Sequence, residues 1–203
     1  MEKKGSINVI IGCMFSGKTS QLIKIARRYS NVNKNVLMIN YSEDKRYGDD
    51  NKVYTHDLIG LDCIFVKDLN KDIQGDPVFL EKYRESEVIC INEGQFYTGL
   101  VDFCKKSANI DSKEIHVCGL DGDYLQKPFG EILNLIPIAE TTKKLNALCK
   151  ICNNGNLAYF TKRISKSKDQ YLIGGKEDYI PVCRKHLLNN KINDYSSNIK
   201  ISI

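Results

Sequence analysis

Short, nearly continuous apolar runs bounded by polar turns recur along the first part of the chain, at residues 7–12 (INVIIG), 35–40 (NVLMIN), 63–66 (CIFV), 88–91 (VICI) and 115–121 (IHVCGLD). Strands covered on both faces read this way. Helical patterns lie between them. One covers residues 17–29 with Leu22, Ile25 and Ala26 on one face, one runs from Pro77 to about residue 87 with Asp76 as its cap, and one covers 97–107. Strands alternating with helices predict an α/β fold, a largely parallel sheet with helices on its faces. Ligands on such sheets bind at the carboxyl ends of the strands.

The pattern changes after residue 141. Helical periodicity weakens, 157–164 (LAYFTKRI) and 170–175 (QYLIGG) read as strands, and a small β-rich unit is expected. The expected division is therefore a first domain over 1–141, a second over 142–190, and a polar, mobile tail over 191–203.

Composition adds little beyond a class. With 42% hydrophobic and 27% charged residues over 203 positions, the chain suits one good core with a small appendage. Its formal charge of +5 is spread along the chain, which suits an anionic small molecule and gives no basic, aromatic-rich stripe for nucleic acid. No apolar run approaches a membrane span and MEKKGS leads straight into a strand, so a cytoplasmic protein with no membrane partner is expected. In that compartment the eight cysteines divide between core positions and metal ligands. Cys63, Cys90, Cys104 and Cys118 sit in apolar patterns and are expected in the core, as is His116, with its hydrogen bonds satisfied. His56 is ambiguous.

The stretch GCMFSGKT, at 12–19, has the G-x-x-x-x-G-K-T spacing and stands between a strand and a helix. Gly12 and Gly17 let the backbone of Cys13, Met14, Phe15 and Ser16 curl so that N–H groups point at phosphate oxygens. Lys18 then reaches the β and γ phosphates, and Thr19 offers a hydroxyl to Mg²⁺. At the end of VICINEGQFY, Glu93 places a carboxylate where it can take a proton from an attacking hydroxyl or water. A magnesium-binding Asp is usual at this strand end, and here the residue is Asn92.

Cys149-x-x-Cys152 is followed by thirty residues and then Cys183-x-x-His186. Either pair alone would read as a redox pair or as core residues. Together the two knuckles supply four N/S ligands for a closed, structural Zn²⁺ site.

The combination of GCMFSGKT, DKRY at 44–47 with THD at 55–57, NEGQFY, GLDGDYLQKPFGEILNLIP at 119–137, YFTKR, IGG and the paired knuckles closely resembles the zinc-containing thymidine kinases. The resemblance runs from about residue 6 to residue 187. It implies a P-loop NTPase-like α/β domain, a zinc domain whose loop closes over the nucleoside, ATP and thymidine as substrates, and a homotetramer. It further implies Glu93 as the base facing the sugar 5′-hydroxyl, and Asp44, Arg46, Asn92 and Gln95 near the phosphates and metal. Met14, Leu120, Tyr124, Phe129 and Thr161 would surround the nucleoside base, with Gln95 and Phe96 supporting the pocket from the NEGQF turn. Leu172, Ile173 and Gly174 would read the base through main-chain atoms, and Tyr179 would meet the sugar 3′-hydroxyl.

Five positions depart from the pattern of that family. Asn92 stands for Asp, Asp123 for Thr, Tyr124 for Phe, His186 for a fourth Cys, and Gln170 for an apolar residue. The changes at Asp123, Tyr124 and Gln170 bear on the range of nucleosides. Asn92 favours the rival reading, a P-loop ATPase or a nucleoside-binding relic with impaired transfer.

Overall fold

The computed structural model describes residues 4–44, 52–54, 59–165, 174–175 and 177–189. Expectations at Arg46, His56, Gln170, Leu172, Ile173 and the tail 191–203 lie outside these residues.

In chain order the elements are β1 (Ser6–Gly12), α1 (Lys18–Ser30), β2 (Val36–Tyr41), β3 (Lys52–Tyr54), β4 (Gly60–Asp62), β5 (Ile64–Val66), α2 (Leu69–Gly75), α3 (Pro77–Glu85) and β6 (Val88–Ile91). A single 3₁₀ turn, Gly94–Phe96, leads to α4 (Leu100–Asn109) and β7 (Glu114–Gly119), and a second, Ile132–Ile138, leads to β8 (Thr141–Leu145). Then follow β9 (Ala147–Leu148), β10 (Leu157–Ala158), β11 (Phe160–Arg163), β12 (Tyr179–Val182) and α5 (Arg184–Leu188).

Six strands form one sheet in the order β5-β2-β6-β7-β1-β8, and every pairing in it is parallel. Side chains alternate across it. Val9, Ile11, Leu37, Ile39, Ile89, Ile91, Ile115 and Val117 face a core closed by α2, α3 and α4. Ile10, Met38, Val88, Cys90 and Cys118 face the other way, onto Leu22, Ile23 and Ala26 of α1. Both faces are covered, which accounts for the uninterrupted apolar runs. Burying a side chain such as Leu22 or Ile23 contributes about 1.5–3 kcal/mol each.

The α3 start matches the sequence. The Asp76 carboxylate accepts from the N–H groups of Val78 at 2.9 Å and Phe79 at 3.2 Å, with Pro77 first in the helix. Other expectations need correction. On α1, Ile23 is buried together with Leu22 and Ala26, and Ile25 packs half-buried against the same cluster, because the helix lies on the sheet with a stripe wider than a strict i, i+3 row. α4 begins at Leu100, not at residue 97. Gly99 turns the chain there, and the Glu131 carboxylate accepts from the N–H of Gly99 at 2.8 Å and of Val101 at 3.3 Å. Cys63 is half-exposed beside edge strand β5. β8 lies at one edge of the main sheet, parallel to β1.

His116 is buried but only half satisfied. Its Nε2 lies 3.1 Å from Glu114, whose carboxylate also accepts from the Tyr29 hydroxyl, and its Nδ1 has no hydrogen-bond partner among the described residues. Burial lowers its pKa, against the opposing pull of Glu114. The folded state therefore holds the neutral ring more firmly than the unfolded chain does. The resulting stability is full above the ordinary value near 6.5 and is lost as pH falls through the lower folded value. Urea midpoints should fall from pH 7 to pH 5, and His116→Gln should flatten that slope. Parallel slopes in both proteins would contradict this.

The small β region packs at the carboxyl end of β1. β9 pairs with β10 and β11 with β12, both antiparallel, and Ala147, Cys149, Ala158 and Val182 enclose a core that also contains Cys13. No helix among the described residues is long and apolar enough to cross a membrane.

Candidate active site

The carboxyl ends of β1, β2, β6 and β7 open on one cleft of about 1190 Å³, solvent included. Its floor is the phosphate loop. Gly12 has φ of 146°, and a Cβ there would collide with the Leu145 carbonyl oxygen at the end of β8. Only glycine lets β1 end this close to its neighbour. Gly17, with φ of 82°, turns the chain into α1, and Phe15 takes a left-handed φ of 62°. The Lys18 ammonium donates to the Cys13 carbonyl at 2.6 Å, as does the Ser16 hydroxyl at 2.8 Å. Burial lowers the Lys18 pKa, and the Glu93 carboxylate acts in the opposite direction.

Asn92 follows β6 and is 2% exposed. Its Oδ1 accepts from the Thr19 hydroxyl at 3.2 Å and the Cys118 thiol at 3.0 Å, while its Nδ2 donates to Asn40 Oδ1 at 2.9 Å. β2 and β6 are parallel neighbours with Ile39 opposite Ile91, so the two asparagines emerge side by side. Two donors on one end and an acceptor on the other fix the orientation of the amide. Its oxygen faces the phosphate loop.

The chain turns sharply at Glu93, whose φ is 54°. Gln95 donates from Nε2 to Glu93 at 2.6 Å and accepts at Oε1 from the Leu120 N–H at 2.9 Å. The family resemblance implies Gln95 near the phosphates and as a support of the pocket. Gln95 is 3% exposed, with both ends of its amide bonded to protein, and so it braces Glu93. Gly130, with φ of 60°, is what allows the 128–130 turn to lie against this segment, because a Cβ there would collide with the Gln95 carbonyl oxygen.

Aromatic side chains line the far end. Phe96 stacks on Tyr41 at 4.9 Å and meets Phe129 edge-on at 5.4 Å. The Arg163 guanidinium lies over Tyr124 at 3.9 Å. Thr161 Oγ1 accepts from the Met14 N–H at 3.0 Å and the Cys13 thiol lies 3.5 Å from the Ala158 carbonyl, tying the small β region to the phosphate loop. Asp123 is buried, and its Oδ1 accepts from the N–H groups of Leu125 at 2.8 Å and Lys127 at 2.9 Å, closing a turn at the rim.

Of the residues expected from sequence, Met14, Phe15, Gly17, Lys18, Thr19, Asp44, Asn92, Glu93, Gln95 and Phe96 line the cleft, and so do Leu120, Tyr124, Phe129, Thr161, Gly174 and Tyr179. Gly12, Cys13 and Ser16 belong to the loop that shapes this surface without lining it. Asn40, Lys52, Val53, Tyr54 and Cys118 also line it and were not expected. Asn40 had a signal in the sequence, since it ends an apolar strand as Asn92 does. β3, a short strand at 52–54, carried none.

Cys149, Cys152, Cys183 and His186 converge. The His186 Nδ1 lies 3.5 Å from Cys149 Sγ, 3.4 Å from Cys152 Sγ and 3.4 Å from Cys183 Sγ, and Cys152 and Cys183 are 3.8 Å apart. A tetrahedron built on zinc–ligand bond lengths has edges of about 3.8 Å between sulfurs and about 3.6 Å from sulfur to nitrogen, so these four groups fit Zn²⁺. Cys149 Sγ accepts from the Cys183 N–H at 3.3 Å, and Cys152 Sγ from Asn156 Nδ2 at 3.4 Å. Donors of this kind stabilise thiolate ligands. Burial pushes the Cys149 thiol up, but surrounding backbone N–H groups and His186 outweigh it and bring the value down to about 6.

Residues 5–187 match the thymidine kinase family. Thymidine kinase a of Arabidopsis thaliana is 42% identical over 95% of this chain and 79% of its own length. The thymidine kinase of Yaba monkey tumor virus is 44% identical over 90% of this chain and 94% of its own. Among solved structures, domain III of the Thermotoga maritima replication initiation protein DnaA is only a loose likeness, with a TM-score of 0.42 and 18% identity over 68% of this chain and 54% of that one. With its phosphate loop, carboxylate and aromatic wall on one cleft and nearly its whole length matched, the chain belongs to the thymidine kinase family.

Proposed function

We propose that the protein transfers the γ-phosphate of ATP to the 5′-hydroxyl of thymidine, giving ADP and thymidine 5′-monophosphate. The observation that carries this reading is the opening of Lys18 and Glu93 onto one cleft whose other end is walled by Phe96, Tyr124, Phe129 and Tyr179. Glu93, held by Gln95, takes the 5′-hydroxyl proton as that oxygen bonds to the γ-phosphorus and the bond to the β-phosphate oxygen breaks. Lys18 and the loop N–H groups balance charge on the phosphates. Thr19, Asn92 and Asp44 offer only oxygen donors, the set that Mg²⁺ prefers, and would hold it. Bound there, Mg²⁺ neutralises charge on the β and γ phosphates. Family membership also supports a homotetramer and residence in the cytoplasm.

The test is product identification. Thymidine with ATP and Mg²⁺ should yield thymidine 5′-monophosphate by mass spectrometry, and ADP without a nucleotide product would contradict the reading.

Asn92 offers a neutral oxygen where a carboxylate is usual, so it should hold Mg²⁺ less strongly. Protein kinases show that an Asn ligand is tolerated when a carboxylate also acts on the metal. The Asn92→Asp variant should therefore lower the Mg²⁺ concentration for half-maximal rate. Asn40 would have to turn its amide to donate to the new carboxylate, which its side-chain torsion allows. Turnover at saturating Mg²⁺ should change by no more than about tenfold, roughly 1.4 kcal/mol. A wild type inactive at every Mg²⁺ concentration, with activity restored by Asn92→Asp, would establish the relic reading instead.

A further inference from the structure

Arg163 lies at the nucleoside end of the cleft without having been marked as a site residue by the sequence. It ends β11, two residues beyond Thr161, so the two side chains share a face of the strand while Lys162 points the other way, its ammonium 2.8 Å from the His186 carbonyl and 2.6 Å from that of Asn189. Arg163 is 8% exposed. Its guanidinium covers the Tyr124 ring at 3.9 Å and stands 5.1 Å from the centre of the Tyr179 ring. Its terminal nitrogen donates to the Tyr179 hydroxyl at 2.5 Å. Both tyrosines line the cleft.

The chemistry of this contact is directional. A guanidinium only donates, so the Tyr179 oxygen must accept from it and the phenol proton must point elsewhere. We propose that Arg163 is a positioning residue for the nucleoside. It holds the Tyr124 ring flat as one wall and fixes the Tyr179 ring and hydroxyl at the nucleoside end of the cleft. The inference rests on the thymidine kinase reading of this cleft. Lysine cannot replace it, because an ammonium has no plane to lay on a ring while also reaching the phenol oxygen.

The experiment is steady-state kinetics of wild type, Arg163→Lys, Arg163→Gln, Tyr179→Phe and the Arg163→Lys/Tyr179→Phe double variant, with zinc content and thermal melting as controls. Loss of a charge-assisted hydrogen bond and a cation–π contact should raise the thymidine KM of Arg163→Lys by about ten- to a hundredfold. The ATP KM should stay within about threefold. Arg163→Gln removes the charge and the cation–π contact and shortens the side chain, so its thymidine KM should rise at least as far as that of the lysine variant, and it carries the test if the lysine variant does not fold. The double variant should be far less impaired than the product of the single effects, because both changes remove the same bond. A thymidine KM within about twofold of wild type, equal rises for both substrates, or fully multiplicative single effects would each overturn the inference. A wild type with no thymidine-dependent turnover would instead overturn the kinase reading, which keeps the two failures distinct.

Discussion

Glu93→Gln should lower turnover by about a hundredfold or more while leaving ATP affinity nearly unchanged. The amide is almost the same size as the carboxylate and can still accept from Gln95 Nε2, now 2.6 Å from Glu93, so the turn after β6 should keep its shape. What it lacks is the capacity to take a proton. Lys18 is held by the Cys13 carbonyl and Thr19 by Asn92, which is why ATP binding should survive. Rapid-quench turnover and calorimetric ATP binding on the same preparation would separate the two effects. Unchanged turnover would remove Glu93 from the proton-transfer role.

Removing the metal should produce the other large effect. With Cys149→Ser, zinc content should fall below about one tenth of an ion per chain and the thymidine KM should rise at least about tenfold, since a structural zinc supplies much of the folding energy of the segment that binds it. Cys149 is buried in the small core with Ala147, Ala158, Val182 and Cys13, so its loss loosens β11 and β12 together. Those strands carry Thr161, Arg163 and Tyr179. The contact between Thr161 and the Met14 N–H means that the ATP site is not wholly insulated, and its KM should move too, but by less. Full activity in protein shown by metal analysis to carry only a trace of zinc would contradict this.

The sheet was legible because each of its central strands is covered on both faces and so reads as an apolar run. The phosphate loop and the knuckles were legible because their spacing is set by the chemistry of phosphate and zinc. β8 was hidden, since TTKKL is exposed at the sheet edge and carries no apolar run. α2 was missed although Asp68 caps it, accepting from Asn70 and Lys71 at 3.1 Å, because only Leu69 and Ile73 are buried on its short length. The roles of Asn40, Gln95 and Arg163 depend on partners far away in sequence, such as Asn92, Leu120 and Tyr124. Periodicity cannot report such pairs, and only the fold brings them together.

Phosphoryl transfer by this protein should depend on the nucleoside. A coupled assay of ADP release, run with and without thymidine across a range of Mg²⁺, decides it. Release should be low with ATP alone and rise at least about tenfold on adding thymidine, one ADP for each thymidine 5′-monophosphate formed. Equal release with and without thymidine would mean an ATPase, and would contradict the assignment of Glu93 and the aromatic wall to a nucleoside.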